Sequence, residues 1–189
     1  GIDWSVTKFV IITPIDGTPI HSSWLDLVDQ ADATMVISRF GVEAMAHEGK
    51  QVDLLHPGVD MNEFYPADDA EEVTALRTKA GIPADAFVIG AFMMNQGRKM
   101  VSKTIEVFGE FAINKPDAWL FLDMEDTSPA GWDIKEVMKQ LKWPEQLTKR
   151  VLTRANVTTP AVGLLGLRER YLLCTISSQM AHREGFGLP

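Results

Sequence analysis

Short apolar runs alternate with stretches of helical spacing along nearly the whole of this 189-residue chain, and that alternation restricts its fold more than any other feature. Lys8-Phe9-Val10-Ile11-Ile12-Thr13, ended by Pro14, reads as a strand buried on both faces. Ser22-Ser23 offer an N-cap for a helix carrying Trp24, Leu25, Leu27 and Val28, and Ala33 to Ile37 is strand-like. A second helix runs from about Phe40 to Glu48 with Gly49 as its C-terminal cap, and Val52 to Leu55 gives another strand. The resulting βαβαβ order calls for right-handed crossovers and a parallel sheet, hence an α/β fold.

His56 to Asp69 contains Pro57-Gly58, Pro66 and Asp68-Asp69 and has no periodicity of its own, which marks a linker and a domain boundary. Alternation then resumes. Helices are expected over Ala70–Gly81, Ser102–Ile113, Asp133–Leu141 and Leu164–Leu173. Strands are expected at Phe87–Phe92, Ala118–Leu122, Val151–Thr153 and Thr175–Gln179. The organisation that follows is residues 1–57, a linker over 58–69, and a second lobe over 70–189.

Charge and composition exclude several classes. With 46% hydrophobic residues the chain can bury a real core, and a formal net charge of −8 repels a phosphate backbone, so nucleic acid is not an expected partner. No apolar stretch approaches the ~20 residues needed to span a bilayer, and the N-terminus lacks a basic region followed by an apolar signal core. A cytoplasmic location is expected, with contact to a membrane surface only through a substrate. The single cysteine, Cys174, excludes an intrachain disulfide and a multi-cysteine zinc site, and reads as a small buried apolar residue.

The residues that carry chemistry sit where open α/β sheets place ligands, at the carboxyl ends of strands. Asn95-Gln96-Gly97-Arg98-Lys99 follows one strand and brings two adjacent cations, which fits either phosphate recognition or a solvated basic turn. Near the end of the chain, Arg183-Glu184-Gly185-Phe186-Gly187-Leu188-Pro189 follows another strand. Its glycines fit either a turn whose backbone N–H groups approach an anion or a plain strand-to-helix connection, and Glu184 fits either a carboxylate for sugar hydroxyls or a solvated acidic side chain. Asp123, Glu125 and Asp126 form an acidic group whose spacing matches no complete metal loop, so a solvated loop is the expectation and no metal site is assigned. His21, His47, His56 and His182 form no local triad. Trp24, Trp119, Trp132 and Trp143 lie near element boundaries and read as packing anchors.

Taken together these pieces resemble the retaining glycosyltransferases of family 4, also called glycosyltransferase group 1. Pro14-Ile15-Asp16-Gly17 with Trp24, then Ala31-Asp32 and Ser38-Arg39-Phe40-Gly41, are similar to the closing part of that family's N-terminal lobe. Pro57-Gly58-Val59-Asp60 with Phe64 and Pro66 is similar to its interlobe signature, with His56 before Pro57 where the family usually has Pro-His. Asn95 to Lys99, with Phe108 nine positions after Lys99, resembles the donor-diphosphate loop, although Met94 stands where an arginine is often found. Tyr171 followed thirteen positions later by Glu184-Gly-Phe-Gly-Leu-Pro matches the spacing to the family's glutamate motif.

The resemblance implies GT-B-type Rossmann-like lobes with parallel sheets: part of an N-terminal acceptor lobe and most of a C-terminal donor-binding lobe, in a fragment cut at both ends. It implies transfer of a sugar from a nucleotide-diphosphate donor to a glycan or lipid-linked acceptor, with retention and without a metal or other cofactor. Glu184 would be the catalytic residue. Arg98, Lys99, Lys103, Gly185, Phe186 and Gly187 would bind the diphosphate, with Lys103 as the rival of Lys99. Asn95, His182, Arg183 and Gly58 would be further donor contacts. Two other readings stay open: a non-catalytic binding or assembly module of the same ancestry, and a GT-B-type nucleotide-sugar epimerase. The exposed edge of the Lys8–Thr13 strand invites self-association, so a homo-oligomer is expected.

Overall fold

The computed structural model describes residues 6–157 and 166–182. These divide into two compact units, residues 6–59 and residues 60–182, each with its own sheet and core.

In the first unit, β1 (Val10–Thr13), β2 (Ala33–Val36) and β3 (Asp53–Leu54) form a parallel sheet in the order β1-β2-β3. Helices α1 (Ser22–Gln30) and α2 (Arg39–His47) make the crossovers. α1 is capped one residue earlier than expected, by His21 rather than by the Ser22-Ser23 pair, because the imidazole Nδ1 accepts from the Ser23 N–H. α2 begins under Ser38, whose hydroxyl accepts from the Gly41 N–H. It ends at Gly49 in the left-handed conformation, with the N–H groups of Gly49 and Lys50 returning to Ala46 and Met45. The core of this unit is Ile15, Val36, Ala44 and Met45, against which Leu25 and Val28 of α1 pack.

β1 departs from its expected environment. Thr13 is buried, but Val10 and Ile12 point the other way and are 47% and 59% exposed. A parallel strand is covered on both faces only when helices lie on both sides of the sheet, and the described helices of this unit cover one.

In the second unit, β4 (Phe87–Phe92), β5 (Ala118–Asp123), β6 (Val151–Thr153) and β7 (Ile176–Ser177) form a parallel sheet in the order β6-β5-β4-β7. Side chains alternate across it. Leu120 and Leu122 join one core with Ile105 and Phe108 of α4 (Val101–Ala112), while Phe121, Val88 and Phe92 join the other with Leu173 and Val157. Remaining helices are α3 (Ala70–Lys79), α5 (Ile134–Gln140), α6 (Glu145–Thr148), α7 (Arg154–Val157) and α8 (Leu167–Leu172). α6 and α7 are single turns with no periodicity to announce them. α8 is shorter than the expected Leu164–Leu173, and residues 164 and 165 lie outside the described residues. β7 covers two residues instead of Thr175–Gln179 and both are exposed, since the strand has β4 on one side only among the described residues.

Arg77 of α3 is buried in this unit. Its guanidinium donates to the carbonyls of Leu173, Ala84 and Ala86 and to Thr175 Oγ1, at 2.9–3.1 Å. It thereby fastens the start of β7 to α3 and β4.

Candidate functional site

A cleft of about 550 Å3 opens at the carboxyl ends of β4, β5 and β6. Its wall is formed by the residues following β4, those following β5, the first residue of α7 and one side of α8. Ligands of open α/β sheets collect at this position because every strand delivers a loop to the same edge.

The loop after β4 is held by Asn95. This side chain is buried, with its amide nitrogen donating to the carbonyls of Glu125 and Trp132 at 3.0 and 2.7 Å and its oxygen accepting from the Trp132 N–H at 2.9 Å. The Gly97 N–H donates to the Ala130 carbonyl. At Gly131 any Cβ would strike the Asn95 backbone, so glycine permits the two loops to touch. Asn95, expected as a donor contact, is thus the clasp between the β4 and β5 loops.

The cation turn that follows is a single 3-10 turn, Gly97–Lys99. Arg98 is exposed and Lys99 buried, so two adjacent cations occupy opposite environments. Burial, with a smaller contribution from the neighbouring Arg98 charge, lowers the Lys99 ammonium below the ordinary lysine value. Met100, which joins the turn to α4, adopts a left-handed conformation with φ 53 and ψ 38, unusual for a residue with a side chain. Lys103 lies on the exposed side of α4 and pairs with Glu106 at 2.9 Å, which raises its pKa.

His182 reaches this turn, its N–H donating to the Arg98 carbonyl at 2.8 Å. The structure therefore brings Asn95, Arg98, Lys99 and His182 together at one end of the second sheet. Gly58 is exposed at the end of the first unit. Arg183, Glu184, Gly185, Phe186 and Gly187 lie outside the described residues.

The acidic group after β5 differs from the solvated loop expected of it. Asp123 is 3% exposed and accepts from Arg154 Nε at 2.7 Å and from Arg170 Nε at 3.0 Å. Glu125, at the surface, pairs with Arg154 at 3.3 Å. A carboxylate this deeply buried requires cationic partners, and α7 and α8 supply them. These two arginines come from segments 16 residues apart and share no motif, so only the sheet order reveals them: β6 and β7 flank the central pair. Among the described residues, no three His, Cys, Asp or Glu side chains are grouped to hold a metal ion.

On the apolar side of the cleft, Tyr171 of α8 lies against Phe92, with ring centroids 4.1 Å apart, and edge-on to Phe64 at 6.1 Å. α8 is anchored from the linker side by Arg168, which donates to the carbonyls of Tyr65 and Pro66 and to Glu72. Cys174 fills the space beneath, where burial pushes its thiol up to about 12. Cys174, expected as a small buried apolar residue, packs against the core but is only partly buried. Trp119 and Trp143 pack against the two cores as expected, whereas Trp24 is 47% exposed and is not part of the core of the first unit.

No protein-family model matches the chain, and no curated protein sequence is significantly similar to it. Solved structures are. Anabaena Alr3699/HepE in complex with UDP and glucose aligns over 85% of this chain at 17% identity with a TM-score of 0.58. The same protein in complex with UDP aligns over 82% at 18% identity with a TM-score of 0.57. The C-terminal domain of the glycosyl transferase group 1 family protein LpcC from Francisella tularensis aligns over 70% at 25% identity with a TM-score of 0.53. This chain spans 41% of the first HepE chain, 40% of the second and 63% of the LpcC domain chain. Its parallel sheets and crossovers are thus an α/β fold of the GT-B type, built of Rossmann-like lobes.

Proposed function

We propose that this chain is part of a nucleotide-sugar glycosyltransferase, and that residues 70–189 bind the donor. The observation that carries this reading is the cleft at the carboxyl ends of β4, β5 and β6, whose lining after β4 reaches Gln96, the residue before the Gly97–Lys99 turn. The similarity to HepE, a protein solved with UDP and glucose, supports it. Residues 1–57 would belong to an acceptor lobe, and 58–69 would link the two.

In this reading the apolar wall around Tyr171 and Met94 receives the base, and Lys99 with Arg98 meets the diphosphate. Lys99 is the favoured clamp and Lys103 its rival. A bound diphosphate would return the Lys99 pKa toward its ordinary value, because an adjacent anion favours the ammonium form. During transfer the bond from the anomeric carbon to the diphosphate oxygen breaks and an acceptor oxygen takes its place. Negative charge on the leaving group grows, so fixed cations there stabilise the transition state more than the bound donor. Glu184 would orient the sugar, and the backbone of Gly185, Phe186 and Gly187 would approach the phosphates, with Arg183 and His182 alongside. The family 4 assignment, retention of configuration, a hexosyl donor and independence from metals or other cofactors complete the proposal. Self-association through the exposed β1 edge is part of it. No helix among the described residues is long and apolar enough to cross a membrane.

Calorimetric titration with UDP, GDP and ADP, alone and as sugar conjugates, tests the reading. One nucleotide is expected to bind selectively, and Lys99→Ala to weaken it by at least about tenfold, the loss of one charged hydrogen bond of roughly 1.5–3 kcal/mol. Absence of binding by every nucleotide, or unchanged affinity in Lys99→Ala, would overturn it.

A further inference from the structure

α8 forms part of the cleft wall, with Leu167, Arg170 and Tyr171 among the lining residues. It is six residues long and none of them is fully buried. A helix this short is not stable by itself in water, so side-chain anchors decide where it sits. Arg170 ties it to the sheet through Asp123. Arg168, which is not among the lining residues, ties it to the linker and the start of α3.

The Arg168 anchor combines a fork with a ring. Its guanidinium donates to the Tyr65 and Pro66 carbonyls at 3.0 Å and to both oxygens of Glu72, at 2.7 and 3.3 Å. It also lies over the Tyr65 ring, 3.8 Å from the centroid. The Arg168 side chain is 15% exposed, and a fork that is both bidentate and stacked fixes geometry as well as charge. Glu72 is held in turn, since it accepts from the Asp68 N–H at 2.9 Å. One turn further along α8, Tyr171 sits between Phe92 at the end of β4 and Phe64 of the linker. Phe92 meets Phe121 of the sheet edge-on at 5.9 Å. The aromatic row thus runs from the core, through the cleft wall, to the same chain segment that Arg168 grips.

We propose that Arg168 is a positioning residue for the donor: by fixing α8 to residues 64–72 it holds the Tyr171 ring at the cleft, so nucleotide affinity depends on a side chain that never touches the nucleotide. The inference rests on the donor-binding reading of the second unit. Simple attraction of the anion by the Arg168 charge predicts the opposite response to Glu72→Gln, which removes a negative charge together with one arm of the anchor.

The chain contains two tyrosines, so 3-fluorotyrosine labelling gives two fluorine signals, and Tyr65→Phe assigns that of Tyr171. The whole chain is titrated with UDP, GDP and ADP, and the nucleotide that binds is expected to move the Tyr171 signal. Arg168→Ala is expected to displace that signal in the ligand-free chain and to weaken the nucleotide by about fivefold or more, and Glu72→Gln to weaken it in the same direction. Arg150→Ala strips an arginine from the carbonyls of Ala112, Lys115 and Ala118, at the amino end of β5, and is expected to bind like the parent chain. Circular dichroism checks folding, and Glu72→Gln decides should Arg168→Ala not fold. Four results overturn the inference while the donor reading stands: binding that leaves the Tyr171 signal in place, parent-like affinity in Arg168→Ala, tighter binding in Glu72→Gln, or an equal loss in Arg150→Ala. No binding by the parent chain overturns the donor reading and this inference together.

Discussion

The second sheet buries both of its faces, whereas among the described residues the first buries one. In β5, Leu120 and Leu122 enter one core and Phe121 the other. In β1, Thr13 is buried but Val10 and Ile12, in the same apolar run, face outward. A continuous apolar run therefore marks a strand but does not establish that helices cover both sides of it. The polar groups differ in parallel. The second unit contains buried cations and anions, Arg77, Lys99 and Asp123, while the buried polar side chains of the first are Thr13 and Thr34.

The strongest test of this contrast is Arg77→Ala. It leaves the carbonyls of Leu173, Ala84 and Ala86 without their donor inside the second unit, so a loss of about 3 kcal/mol or more is expected by urea unfolding. A loss under about 1 kcal/mol would mean that water reaches these carbonyls and the unit is less dry than its burial indicates.

A second effect appears only at alkaline pH. The thiol of Cys174 is raised from 9.0 to about 12 in the folded chain, chiefly by burial, so the unfolded chain loses its proton first. Its contribution is present in full below pH 9.0 and is lost progressively as pH climbs toward about 12. Denaturation midpoints should fall over that window, and fall less in Cys174→Ala. Equal slopes in both proteins would place the alkaline sensitivity elsewhere.

The smallest effect is expected in the first unit. Ile12→Thr in the exposed face of β1 should change stability by less than about 0.5 kcal/mol and reduce self-association by light scattering. A cost above about 1.5 kcal/mol would show that a partner covers this face and would erase the contrast between the sheets.

Much of the fold is legible in the sequence because its signals are local. Strand–helix alternation and Gly49, which closes α2 with a positive φ, act within one turn of the chain. α6 and α7 are not legible, because a single turn carries too few residues for periodicity. Trp24 reads as a packing anchor, yet the helix turns Leu25 and Val28 inward instead. The candidate site is legible in part. The cation turn announces itself through two adjacent charges after a strand, and the structure adds the His182 N–H, which donates to its Arg98 carbonyl. Asn95 does belong to the site, but its amide is spent on joining two loops.

By itself the sequence determined the parallel α/β architecture, the Gly49 end of α2 and the position of the Arg98-Lys99 turn, because spacing and backbone preference act over a few residues. Only the tertiary structure decided which charges meet. Asp123 finds Arg154 and Arg170 because strand order β6-β5-β4-β7 brings three separate segments to one sheet edge. It also decided that Lys99 is buried while its neighbour Arg98 is not, since one turn of backbone sends consecutive side chains into different surroundings.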